Sequence, residues 1–113
     1  MAKYLVAIHR YNDYDPLTSE DEAMSQDIDT LNDEMAAAGI IIFVGGLRPI
    51  SSAKSLRLQN NGEVLVSDGL YLNTTEHVGG FWVLEVVNLE EALAWARKAA
   101  IACRASVEVR PFH

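Results

Sequence analysis

The sequence predicts an α+β fold, and three observations carry that expectation. Short runs rich in strand formers lie at 3–9, 40–44, 81–87 and 105–112, and two stretches between them have helical periodicity. The helical stretches follow the first and third runs, so once a hairpin near 56–66 is set aside the order is strand, helix, strand, strand, helix, strand. That order is the split βαβ pattern of ferredoxin-like folds, with both helices on one face of an antiparallel sheet.

The first run, KYLVAIH, is bounded by the turn-like NDYDP. Thr18 and Ser19 offer N-cap oxygens, and Ser19 with Glu22 makes a capping-box pattern before apolar residues recur at Met24, Ile28, Leu31, Met35 and Ala38. Gly39 can close that helix. The run IIIFV at 40–44 is too apolar for a wet face and reads as covered on both sides. Leu56 and Leu58 alternate with Arg57 and Gln59, and Asn60-Asn61-Gly62 then leads into EVLV, a hairpin signal with one watered face. A Gly/Asn/Thr-rich loop spans 66–81, and loops of that length in a small domain usually carry function. After the strand FWVLEVV, Asn88 and Glu91 cap a second helix whose expected core stripe is Leu89, Leu93, Ala96 and Ala100. The final strand is ASVEVRPF.

Length and composition narrow the function classes. The 113 residues suit one domain, 1–113, and half are hydrophobic without any run long enough to span a bilayer. No secretory leader pattern is visible at the start, and the single Cys103 fits a reducing compartment, so the expected location is cytoplasmic. The net charge is −7, and nine acidic residues lie between Arg10 and Arg48 with no basic residue among them. Such a surface repels a phosphate backbone, which argues against nucleic-acid binding. No pair of histidines has ligand spacing with a carboxylate or cysteine, so neither a metal site nor a cofactor is expected.

The loop also carries a resemblance. Asp68, Gly69, Thr74, Glu76, Gly79, Gly80 and Phe81 fall where DGPF-type members of the YCII-related family carry a signature close to DGPFxETKExxGGF, and VEVRP matches the family's ending. The match covers nearly the whole chain, from Lys3 to Phe112. The resemblance implies a dimeric α+β barrel in which two sheets enclose a shared interior. A bare apolar sheet face points the same way, because a second copy is the usual cover. Two departures stand out. The signature's Pro and Phe are Leu70 and Tyr71 here, which adds a hydroxyl near any ligand. Classical members also carry a histidine on the first helix and an aspartate after the second, whereas this chain has no histidine in the first and reads IACRAS after the second. Their acid/base dyad is therefore absent.

The candidate catalytic residues are His9, Asp68 and Glu85, and the candidate ligand-binding residues are Tyr71, Arg48 and Glu76. Glu85 shares a strand face with Phe81, Val83 and Val87 on a central strand, so its carboxylate is either paired, with Lys3 or His9 as partners, or placed for chemistry. His9 ends the first strand beside Tyr11 and Tyr14 and could act as a general base. Asp68 either caps a turn in which Gly69 takes positive φ or orients a ligand at a pocket mouth. Glu108 and Arg110 read as an exposed or dimer-edge ion pair. The function expected is a small-molecule-binding homodimer, with proton-transfer or elimination chemistry as an extension. The alternative is a non-catalytic ligand-sensing or assembly domain with a paired, inert interior.

Overall fold

The computed structural model describes all 113 residues. The elements run β1 (Ala2–Tyr11), α1 (Pro16–Ser19), α2 (Glu22–Ala38), β2 (Ile41–Gly46), a 3₁₀ turn (Ile50–Ser52), β3 (Lys54–Leu58), β4 (Val64–Asp68), β5 (Glu76–Val86), α3 (Leu89–Cys103) and β6 (Val107–Pro111). Four strands form an antiparallel sheet in the order β2-β5-β1-β6, while β3 and β4 pair only with each other. With the hairpin set aside this is the expected ferredoxin-like arrangement.

Strand alternation sorts the sheet into two faces. Tyr4, Val6 and Ile8 of β1 and Trp82, Leu84 and Val86 of β5 point toward α2 and α3 and form the core with Leu31, Met35 and Ile40. The helix α2 meets them with Leu31 and Met35 and half-buried Ile28, as the periodicity predicts, and Met24 is buried outside this cluster, whereas Ala38, expected in the stripe, is exposed at the helix end. Its end is also as expected: Gly39 closes it at φ 70°, a left-handed conformation that costs glycine little.

Its start differs from the expectation. Ser19 lies in the short helix α1, which Asp15 caps, and Asp21 caps α2 by accepting from the Met24 amide at 2.8 Å. An ionised carboxylate is the stronger acceptor for the exposed amides at the positive end of a helix dipole. The stripe on α3 is also rotated: Ala92, Ala96, Ala99 and Cys103 are buried, while Leu89 and Leu93 face solvent. Small side chains let α3 approach the sheet closely. The expected Asn88 cap is present, accepting from Glu91 N at 3.0 Å while Glu91 Oε2 accepts from Val87 N at 3.0 Å.

Three further expectations change. The run at 40–44 becomes an edge strand with Ile42 and Phe43 more than half exposed, because the helices cover only one side of the sheet. The long loop shrinks to 69–75, since β4 extends to Asp68 and β5 starts at Glu76. The hairpin has no dry face: Leu56, Leu58, Val64 and Val66 are all exposed.

Two glycines let β5 pass between its neighbours. Gly79 is the extra residue of a bulge, since Ile8 pairs with Gly80 and His9 with Val78. A Cβ on Gly80 would lie 2.9 Å from the Gly45 carbonyl oxygen and 3.1 Å from Gly46 Cα. Gly80→Ala therefore pushes β2 outward and costs about 1–3 kcal/mol in urea denaturation, the usual range for overpacking. Gly46→Ala, with open space around its Cβ, costs less than half as much.

Candidate functional site

Arg10 follows Ile8 on the core-facing side of β1, so the alternation that builds the core ends there on a charge. Its guanidinium donates to the Cys103 carbonyl oxygen at 2.6 Å, satisfying an otherwise unpaired group at the negative end of α3. The same guanidinium stacks over the Tyr14 ring at 4.2 Å from its centroid. These contacts form one wall of a cleft of about 400 Å³ between the sheet and the approach to α2.

The floor of the cleft is apolar, from Ile8, Ile28, Val44 and Trp82, and polar groups converge on it from several elements. Asn32 on α2 accepts from Trp82 Nε1 at 2.8 Å. His77 on β5 lines the mouth, its Nδ1 3.0 Å from Asn12 Oδ1. Arg48 and Glu20 border it, and the Tyr14 hydroxyl is buried with no hydrogen-bond partner. Neither Arg10 nor Arg48 takes part in any of the four ion pairs of the chain. A mostly apolar hollow with a few convergent polar groups is the usual form of a small-molecule site.

Two groups at the cleft titrate abnormally. Burial raises the Tyr14 hydroxyl above its ordinary value of 10.0 against the opposing effect of Arg10. Burial likewise raises the Cys103 thiol above 9.0. Both side chains are thus held in their neutral forms at physiological pH, Tyr14 as a hydroxyl donor and Cys103 as an inert thiol.

The residues singled out from sequence are spread over the molecule. Arg48 lies at the cleft, while His9 and Glu76 lie together in a second hollow of about 520 Å³ with Asp21 and Arg104. Glu85 is on the sheet face away from the helices, directly opposite Lys3, without an ion pair between them. Six residues separate Lys3 from His9 on β1, about 20 Å, so His9 and Glu85 do not meet within one chain. Asp68 pairs with Lys54 on the hairpin, and Tyr71 stacks beneath Arg57 at 4.5 Å. Glu108 and Arg110 do form the exposed pair expected of them, at 3.5 Å. Arg10, Tyr14 and Asn32 escaped the sequence reading. The signal for Arg10 was its place two residues beyond Ile8, continuing the core side of β1 rather than the side of Lys3 and His9.

The raised pKa values fix a sign. A group whose pKa is higher when folded contributes stability at neutral pH that is lost as pH climbs past its ordinary value. Unfolding free energy measured by urea titration is therefore level through neutrality and begins to fall near pH 9. Cys103→Ala weakens that fall, and the native thiol reacts with a disulfide reagent only at the rate of unfolding.

Comparison with known proteins now adds to this geometry. The chain is 35% identical over 114 residues to an uncharacterized protein of Rhizobium meliloti (strain 1021), an alignment covering 95% of this chain and 90% of that one. The family model described as "YCII-related domain" matches residues 4–113. With this match, and a ferredoxin-like α+β sheet beneath it, the chain belongs to the YCII-related domain family.

Proposed function

We propose that the protein binds a small organic molecule in the cleft beside Arg10 and works as a homodimer in the cytoplasm. The observation that carries the reading is the buried, unpartnered Tyr14 hydroxyl over an apolar floor. A buried hydroxyl without a partner costs stability, and a ligand oxygen supplies the missing acceptor. Arg10 and Arg48 add positive charge at the same opening. Trp82, held in orientation by Asn32, closes the base of the cleft from within the core.

Binding fits these groups better than turnover. Tyr14 and Cys103 are shifted away from neutrality rather than toward it, so neither is tuned as a base or nucleophile. Proton transfer through His9, Asp68 and Glu85 draws no support from one chain, where they occupy the second hollow, the hairpin and the open sheet face. The homodimer is supported by that open face, which presents Leu5, Phe43, Phe81 and Val83 with no helix over them. No helix is long and apolar enough to cross a membrane.

A thermal-shift screen against small carboxylic and phenolic metabolites tests the site. A ligand at 100 times its dissociation constant stabilises by about 2.7 kcal/mol, enough to move the melting point by several degrees. The expected hit is lost in Tyr14→Phe and Arg10→Met and kept in Glu85→Ala. A hit lost only in Glu85→Ala would put the ligand on the other face of the sheet and overturn the reading, as would the absence of any hit.

A further inference from the structure

The β3–β4 hairpin stands away from the body. The radius of gyration is 16.0 Å, against about 13 Å for a compact chain of this length. Pairing places Leu56 opposite Val66 and Leu58 opposite Val64, so four apolar side chains share one face of the hairpin. Their exposures are 62%, 66%, 72% and 49% respectively. An isolated two-stranded hairpin is marginal in water, and an uncovered apolar ladder on it makes matters worse.

The base of this arm is nevertheless held firmly. Asp68 pairs with Lys54, the Gly69 amide donates to the Ala53 carbonyl at 2.9 Å, and the Ser55 hydroxyl donates to the Gly69 carbonyl at 2.5 Å. Ser55 is buried at 6% exposure, and Gly69 makes the turn at φ 94°. Beyond it, Arg57 donates to the Tyr71 carbonyl at 3.2 Å while stacking on its ring. Segment 68–71 therefore acts as a clamp that fixes where the arm points. An element fixed at its root and bare along its length is preorganised for docking.

We propose that the arm is a dimerisation element, laid by its Leu56/Val66 and Leu58/Val64 face against a second copy of this chain. The inference rests on the homodimer proposed above and names the element that completes it. Charge selects the occupant. The chain carries −7, yet the arm is balanced, with Lys54 and Arg57 against Glu63 and Asp68. The open sheet face is balanced as well, with Lys3 and Arg110 against Glu85 and Glu108. The acidic excess sits on and before α2, so two copies meet through these neutral surfaces without repulsion. Area points the same way. Four strands at about 4.8 Å spacing and about six residues in length give a flat footprint of about 400 Å². A standard interface takes about 800 Å² from each partner, and the arm adds to the footprint four exposed apolar side chains aligned on one paired face.

The test is sedimentation equilibrium of the wild type and of the double variant Leu56→Lys with Val66→Glu, whose paired opposite charges keep the hairpin's cross-strand partners compatible. Hydrogen exchange of the arm amides at high and low protein concentration reads the same contact without a mutation. The wild type is expected to sediment as a dimer, with dissociation at least tenfold weaker in the variant and arm protection that falls on dilution. A wild-type dimer unaffected by the variant, or arm exchange independent of concentration, overturns the arm while leaving the homodimer standing. A monomeric wild type overturns both.

Discussion

Everything in this molecule follows from a four-stranded sheet that carries helices on one face only. On the covered face, Val6, Trp82, Leu84 and Val86 are almost wholly removed from water, and α2 and α3 meet them with Met35, Leu31 and a row of alanines. Burying those side chains supplies most of the drive to fold, at about 1.5–3 kcal/mol for each large one. On the other face, the same alternation points Leu5, Phe43, Phe81 and Val83 away from the helices, leaving Phe43 more than half exposed and the other three half-buried. A strand cannot hide one face without presenting the other. The stable half of the structure thus dictates its unfinished half.

The cleft is a by-product of where the core stops. At Ile8 the core side of β1 reaches the bulge at Gly79, and the next residue on that side is Arg10. Its stem crosses Gly79 so closely that a Cβ there would lie 2.7 Å from Arg10 Cγ. Glycine at this point lets the arginine reach the end of α3, donate to the Cys103 carbonyl and stack on the Tyr14 ring. A charge and a hydroxyl are left at the rim of an apolar floor, where both are desolvated enough to favour a partner.

Much of the fold was legible because it rests on local rules. Short runs of strand formers marked the sheet strands, the Asn88 and Glu91 pair marked the start of α3, and Gly39 marked the end of α2. What escaped depended on tertiary distance. Alanines form the buried stripe of α3 because the helix lies close to the sheet, a preference no single-helix pattern contains. Asp21 displaced Ser19 as a cap because an unforeseen turn of helix at Pro16–Ser19 consumed the serine. The site was less legible still. Glu85 and Lys3 were rightly placed on a shared face, but His9 was assigned by the same alternation without the 20 Å that separates it from them. Arg10 and Tyr14 are four residues apart in sequence, yet their meeting with Cys103 depends on a contact spanning 93 positions.

The most direct test of this account is an isotope-filtered NOE experiment on a mixture of labelled and unlabelled chains, which reports only contacts between copies. The account predicts intermolecular signals from the methyls of Leu5 and Val83 and the rings of Phe43 and Phe81 on the uncovered face. Intermolecular signals confined to α2 and α3, or none at concentrations where the chain is fully folded, would contradict it.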